Sequence, residues 1–247
     1  MADVSYVFGL HAVMALFRNP HRQIMAVYMN QERQDKRMQQ IMSQASARNV
    51  PIEWYSIDLM DQRFANFNHQ GVVACASPLP DYDECDIPHL LAANDQPCFV
   101  LILDGVTDPH NLGACLRSAD AAGVDFVMIP KDKNASITPI VSKVACGAAE
   151  SVPLLRVTNL VRGIEKLKQA GVWVYGAAGE AQTSIYQVDC KAPIAMVLGA
   201  EDKGIRRLTR VHCDGLFSLP MLGSVSSLNV SVAAGIVLYE AVRQRVC

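Results

Sequence analysis

The sequence predicts an α/β protein in two parts, a small α/β module followed by a larger parallel-sheet domain. Three observations carry this. Apolar, β-rich runs recur at regular intervals after residue 98 with helical patterns between most of them, and a proline-rich acidic stretch divides two differently textured regions. The third is size: 247 residues, 51% hydrophobic and 19% charged, suffice to bury a proper core.

Within residues 1–77, GLHAVMALFRN has helical spacing, IMAVYMN reads as a strand, KRMQQIMSQASARNV as a helix, PIEWYSI as a strand and QGVVACASP as a closing strand. Residues 78–97, PLPDYDECDIPHLLAANDQP, hold four prolines and read as a linker with one short helical turn. The second part spans 98–247. Its runs are CFVLIL (98–103), VDFVMIP (124–130), VPLLRV (152–157), GVWVYGAA (171–178), PIAMVLG (193–199) and GLFSLP (215–220). Continuous apolar runs, separated by helical patterns such as NLGACLRSADAAG and LVRGIEKLKQAG, imply parallel strands covered on both faces. Ligands of such sheets sit beyond the carboxyl ends of the strands, which directs attention to the loops after CFVLIL, PIAMVLG and GLFSLP.

The formal charge of −2 hides an uneven distribution. Residues 1–77 carry seven basic and six acidic side chains, residues 78–97 none and five, and residues 98–247 fifteen and thirteen. A polyanionic partner is therefore compatible with either flanking part. No apolar run reaches about 18 residues, and the start MADVSYVFGLHAVMALF lacks a basic n-region and a small-residue cleavage site, so a cytoplasmic protein without a membrane partner is expected. The eight cysteines form no CxxC pair and have no histidine at ligand spacing. Reduced thiols, mostly filling the core, and no metal are the expectation.

The first loop, DGVTDPHNLGACLRSADAAG, places Asp104, Asp108 and Pro109 in a turn, with Asn111 at an N-cap position and Arg117 six residues on. A capping Asn and a surface Arg are the plain alternative to a functional pair. The second, LGAEDKGIRRLTR, is a Gly-rich turn with Glu201, followed by Lys203, Arg206, Arg207 and Arg210 at i, i+3, i+4 and i+7. On one helical face these basics make either a solvated stripe or contacts to a phosphate backbone. The third, LPMLGSVSSLNVSVAAG, crowds Ser224, Ser226, Ser227, Asn229 and Ser231 before an apolar helix. One such residue would cap the helix; five suggest a loop built to bind something.

In order and spacing, DGVTDPHNLGACLRSADAAGV, VLGAEDKGI and LPMLGSVSSLNVSVAAGI resemble the three signature motifs of the SpoU-type (TrmH-like) ribose 2′-O-methyltransferases of the SPOUT superfamily. Residues 1–77, through FGLHAVMAL and NHQGVVA, resemble the ribosomal-protein-like RNA-binding module that precedes the catalytic domain in members acting on bacterial 23S ribosomal RNA. The resemblance implies a knotted SPOUT methyltransferase domain, its C-terminal segment threaded as a deep trefoil knot, and a homodimer whose site is completed at the subunit interface. It implies S-adenosylmethionine as methyl donor and a guanosine 2′-hydroxyl of 23S ribosomal RNA as acceptor. Carried over by motif, Asn111, Arg117, Glu201, Ser227 and Asn229 fall in the catalytic site, and Gly199, Leu219 and Leu228 at the cofactor. The long final helix, SLNVSVAAGIVLYEAVRQ, offers an apolar stripe for dimer contact.

Methyl transfer from a sulfonium to a hydroxyl is a direct displacement that needs no metal but requires an in-line oxygen at about 3 Å and removal of a proton. A guanidinium does not normally deprotonate, so Arg117 is read as binding a phosphate or stabilising the developing alkoxide, the proton leaving to a phosphate oxygen or water. Three other readings stand beside this one. An ordinary dinucleotide-binding enzyme lacks its GxGxxG after the first strand. A non-catalytic RNA-binding assembly factor sits awkwardly with a full set of motif residues. A transfer RNA 2′-O-methyltransferase shares the catalytic domain, and the N-terminal module favours ribosomal RNA over it. His11, His69 and His110 are expected to be structural, and Trp54 and Trp173 to lie in the core.

Overall fold

A computed structural model describes residues 4–246 apart from 66, 94–95 and 201–202. The chain runs β1 (Ser5–Phe8), α1 (Leu10–Arg18), β2 (Ile24–Asn30), α2 (Lys36–Ala47), β3 (Ile52–Tyr55), α3 (Ile57–Arg63) and β4 (Val72–Ala76). After α4 (Ile87–Leu91) come β5 (Phe99–Asp104), α5 (Pro109–Ala121), β6 (Phe126–Pro130), α6 (Pro139–Ala145), α7 (Ala148–Ser151) and β7 (Leu154–Val157). The last elements are α8 (Leu160–Gln169), β8 (Trp173–Ala177), β9 (Ile194–Gly199), α9 (Arg207–His212), β10 (Gly215–Phe217) and α10 (Val230–Val246). Contacts divide the chain into two units, Met1–Pro80 with Ile137–Ser151, and Asp81–Ser136 with Val152–Cys247.

In the first unit the sheet order is β1-β4-β2-β3, antiparallel except for the parallel β2–β3 pair. Alternation sends Val7, Val27, Met29 and Ala74 to one face, where Val13, Leu16 and Phe17 of α1 and Met38 and Ile41 of α2 cover them. Tyr28, Val73 and Cys75 point to the other face, under Met60 of α3 and Phe64. Capping residues set the helix starts: Asp35 accepts from the N–H groups of Arg37 and Met38, and Ser56 from Leu59. The sequence pattern predicts neither β1 nor α3; both are too short, at four and seven residues, to establish a period of their own.

Residues 137–151 lie between β6 and β7 in the chain yet group with the first unit, where α7 packs on α1. Arg22 Nη1 donates to Glu150 Oε1 at 2.6 Å with both side chains buried, and Asn19 Nδ2 donates to the Glu150 carbonyl at 2.7 Å. Arg22 also gives its Nε–H to the Ser77 carbonyl at 2.8 Å. Desolvation pushes the Glu150 carboxyl above its ordinary range, against the opposing pull of Arg22. Gly147 adopts φ +103°, and a Cβ there would meet Ala15 Cβ at 2.8 Å, so no other residue permits this approach.

The second unit is built on a six-stranded, all-parallel sheet in the order β10-β8-β9-β5-β6-β7. Five of the six strands lie within the runs the sequence marks out and β5 exceeds its run by one residue, Asp104, with β5, β6 and β9 buried almost throughout. Val100, Ile102 and Met128 pack with Ile87 and Leu90 of α4 and with Leu160, Ile164 and Leu167 of α8. On the pleat, Leu101 and Leu103 point to the opposite face, and α10, which packs on α5, also lies against β9. The far end of α10 is pinned by Arg245, whose guanidinium donates to the carbonyls of Cys190, Pro97, Cys98 and Ala192 and lies 4.6 Å from the Phe99 ring centre.

Residues after Asp81 in the acidic stretch are engaged with this unit: the Tyr82 carbonyl accepts from Arg156 N, and Glu84 pairs with Arg162 at 2.6 Å. Among the described cysteines, Cys75, Cys115 and Cys190 are buried while Cys85 and Cys146 are exposed, so the thiols are not uniformly core filler. Burial pushes the Cys98 thiol up to about 12. Trp54 and Trp173 are 45% and 54% exposed, against the expectation of core positions. Trp54 sits on the edge strand β3; Trp173 begins β8 two residues before β10 starts to pair, which leaves that flank uncovered.

Candidate active site

The carboxyl ends of β5 and β9 lie side by side, with Asp104 opposite Gly199 in the register. Asp104 closes an otherwise apolar strand, and its buried carboxylate needs a partner. Arg206 supplies it. The Arg206 backbone N–H donates to Asp104 Oδ2 at 3.0 Å and its Nε–H to Oδ1 at 2.5 Å, so the loop after β9 is anchored to the end of β5. The same loop folds back through Gly204 N to the Ala200 carbonyl at 2.8 Å. A Cβ on Gly199 would lie 2.0 Å from the Gly204 carbonyl carbon, so this return requires glycine. Glu201 falls outside the described residues.

The loop after β5 enters α5 through Asp108, whose side chain accepts from His110 N and Asn111 N, with Pro109 at the first helical position. Asp108 is therefore the cap. Asn111, read from sequence as the cap, sits one turn inside, buried. Its Oδ1 accepts from Asn229 Nδ2 at 3.0 Å. Asn229 in turn starts α10: its carbonyl accepts from Ala233 N, and its Oδ1 accepts from Ser231 N at 2.8 Å and from Ser231 Oγ at 2.6 Å. The expected polar loop thus ends in a capping Asn, and α10 begins at Val230 rather than at Ser227.

Between Leu219 and Leu228 the chain is mostly exposed, and among the described residues none of its backbone N–H groups donates to another backbone group. Main-chain donors left open beside two tight loops suit a ligand held through backbone contacts. Leu219 and Leu228, at the two ends of this stretch, are half-buried, and Ser227 is exposed. Arg117 is exposed on α5, six residues and about 9 Å along the helix axis from Asn111. Among the described residues it makes no hydrogen bond or ion pair, whereas Asn111 and Asn229 are joined directly.

The basic stripe is corrected. Helix α9 spans only Arg207–His212, with Arg206 at its extended N-cap and Lys203 before it, so the four basics do not share one helical face. Two of the four are matched by acids, for Arg206 is held by Asp104 and Arg210 pairs with Glu180. Lys203 and Arg207 stay exposed. Sequence reasoning missed the Asp104–Arg206 anchor; the signal was an acid at the end of a wholly apolar run.

The model of the SpoU rRNA Methylase family matches residues 98–239. The chain belongs to the SpoU rRNA methylase family. A second model, RNA 2′-O ribose methyltransferase substrate binding, matches residues 6–82 of this family member. The methylase is 52% identical over 239 residues, 97% of this chain and 98% of the relative, to the 23S rRNA (guanosine-2′-O-)-methyltransferase RlmB of Escherichia coli (strain K12). It is 53% identical to the RlmB of Shewanella oneidensis, with 99% of each chain covered. Among solved structures, the SpoU methyltransferase AviRb from Streptomyces viridochromogenes, in complex with AdoMet, superposes with a TM-score of 0.81 at 24% identity, covering 98% of this chain and 91% of that one. The A. aeolicus TrmH/SpoU tRNA modifying enzyme is 30% identical with a TM-score of 0.56, covering 66% of this chain and 82% of its own. The fold of this SpoU methylase is thus the α/β architecture expected, with a substrate-binding module first.

Proposed function

We propose that this protein transfers a methyl group from S-adenosylmethionine to the ribose 2′-hydroxyl of a guanosine in 23S ribosomal RNA. The observation that carries the reading is the meeting of the first and third motifs at Asn111 and Asn229, beside a loop of open main-chain donors, in a chain more than half identical to enzymes named for that reaction. S-adenosylmethionine, when bound, supplies an electrophilic methyl group. Gly199, Leu219 and Leu228 would hold it through the loops after β9 and β10, and the Asp104–Arg206 pair keeps the first of these loops in place. Asn111, Glu201, Ser227 and Asn229 would surround the incoming ribose.

Arg117 acts as a fixed cation, on the phosphate adjacent to the 2′-hydroxyl or on the oxygen as it gains charge, while the proton passes to a phosphate oxygen or water. Its exposed place on α5, apart from Asn111, fits a site completed by a second subunit. The exposed face of α10 supports such a homodimer, since Val232, Tyr239 and Val246 recur every seven residues, or two turns, along one side. Lys203 and Arg207, with Arg206 and Arg210 partly neutralised, would meet the RNA backbone. Residues 1–77 would bind the RNA substrate, 78–97 connect, and 98–247 carry the chemistry on a knotted path; no described helix is long and apolar enough to cross a membrane, and action in the cytoplasm completes the reading.

Labelled S-adenosylmethionine incubated separately with unmodified 23S ribosomal RNA and unmodified transfer RNA tests this, with wild type and Arg117→Ala. Label on a ribose 2′-oxygen of ribosomal RNA that disappears in the variant is expected. Label in transfer RNA alone would overturn the substrate and keep the chemistry; label in neither would favour an assembly factor.

A further inference from the structure

All ring–ring contacts among the described residues fall on one face of the first unit, joining Tyr6, Phe8, Tyr28, Tyr55, Phe64 and Phe67. Tyr28 and Phe64 are buried under α3 and account for the packing of that helix. The same explanation does not extend to Tyr6 and Phe67, which are 41% and 39% exposed at the β1 edge, where α3 no longer covers the sheet. Phe67 lies nearly parallel to Phe8, with ring centres 4.3 Å apart and planes inclined by 17°, so a rigid aromatic shelf faces solvent.

Arg63 stands beside this shelf. Its guanidinium lies 4.7 Å from the Tyr28 ring centre and donates to the Tyr55 and Tyr28 hydroxyls, and among the described residues no carboxylate comes within 4.0 Å of it. The positive charge is therefore oriented by neutral groups and left for an anion.

Phe67 also forms one wall of a cleft of about 430 Å³, within the range of about 300–1,000 Å³ typical of small-ligand sites. Asn30, Arg33, Asp61 and Asn68 line it as well. Asn30, one of the lining residues, is only 8% exposed; its Oδ1 accepts from Glu32 N at 2.8 Å, and among the described residues its Nδ2 donates to no protein acceptor. The loop that carries Phe67 is fixed in advance. His69 takes the Gly71 N–H on Nδ1 at 3.0 Å and gives Nε2–H to Asp61 at 2.8 Å, and Gln70 Oε1 accepts from Leu10 N at 3.3 Å.

We propose that this shelf and cleft form a site for an unpaired nucleotide of the substrate RNA, its base stacked on Phe67 and Tyr6, its polar edge met by Asn30 in the cleft, and its phosphate near Arg63. The inference rests on the ribosomal RNA reading for its choice of ligand and adds where on the module that RNA is gripped and in which state. Flat π faces next to an uncommitted guanidinium match a single strand, whose bases are free to splay; a duplex keeps its base faces stacked inside and shows only base edges, 2′-hydroxyls and phosphates.

The test uses the full chain, with labelled single-stranded oligoadenylate and oligouridylate about twelve nucleotides long and the duplex of the two, followed by fluorescence anisotropy. Tyr6→Ala and Phe67→Leu, the latter keeping an apolar contact to Phe8, are each expected to weaken single-strand binding about tenfold. Duplex binding and affinity for S-adenosylmethionine should stay as in wild type, and both variants should still unfold in one cooperative transition. Equal single-strand affinity in both variants, or a wild type that prefers the duplex, overturns the proposal. Methylation of 23S ribosomal RNA by the wild type is scored separately. If it occurs while the variants bind normally, this site is wrong and the substrate reading holds; if it fails while binding depends on the rings, the substrate reading is wrong and the site holds.

Discussion

Asn229 donates its Nδ2–H to Asn111 Oδ1 at 3.0 Å, joining the first turn of α5 to the start of α10 across 118 residues of chain. The two asparagines differ in what else they do. Asn229 also receives Ser231 N and Oγ, so Asn229→Ala removes a helix cap together with the link and should cost about 1–2 kcal/mol. Asn111→Ala leaves the cap and should cost about 1 kcal/mol. Both are expected to lower methyl transfer, with a larger fall in melting temperature for Asn229→Ala; denaturant titration beside turnover separates them.

The Asp104–Arg206 pair is asymmetric, since Asp104 is buried and Arg206 half-exposed. Arg206→Ala removes the guanidinium and leaves the buried carboxylate with the backbone N–H of residue 206, so a destabilisation of about 3 kcal/mol is expected. Asp104→Asn leaves a guanidinium that water can reach, and about 1 kcal/mol is expected. Either change frees the loop after β9, and calorimetry with S-adenosylmethionine should show weakened binding in both.

Arg117 makes no described interaction within its own chain. Arg117→Ala should therefore melt within about 0.5 kcal/mol of wild type while losing most of its turnover. Arg117→Lys keeps the charge and loses the planar fork, and a strong loss of turnover is expected there too. Near-full activity of the lysine variant would show that a point charge suffices.

Arg22 and Glu150 are both buried, and desolvation raises the Glu150 carboxyl while the Arg22 guanidinium opposes that rise. Arg22→Ala should cost about 3 kcal/mol or more, read as a lower melting temperature of the first unit. Limited proteolysis should then cut within residues 137–151, which wild type protects.

Glu240 accepts from Arg243 and Gln244, and these hydrogen bonds hold its carboxyl down at about 2. A carboxyl depressed in the folded state contributes stability that is complete above the ordinary carboxylate range and is lost as pH falls from about 4.5 towards 2. Glu240→Gln should flatten that part of the acid unfolding profile and lower stability at neutral pH. Thermal melts between pH 2 and 7 measure both.

The sequence by itself determined the six strands of the second unit, the helices α5 and α8 between them and the motif residues of the three loops. Apolar runs, helical spacing and punctuating Gly, Pro, Ser and Asn are local signals, and burial on both faces of a parallel sheet makes them strong. The RNA-methylase reading was legible for the same reason, because DGVTDPHN, LGAEDKG and the serine-rich loop are contiguous stretches. Tertiary structure alone decided which of those residues meet. Asp104 finds Arg206 at a separation of 102 and Asn111 finds Asn229 at 118, contacts that no period or propensity encodes. It also decided that Asp108 rather than Asn111 caps α5, since both are good caps and only the path of the turn chooses between them. The aromatic shelf was invisible for a related reason: Tyr6, Tyr28, Tyr55 and Phe67 sit on separate strands and a loop, and only sheet pairing sets their rings on one face.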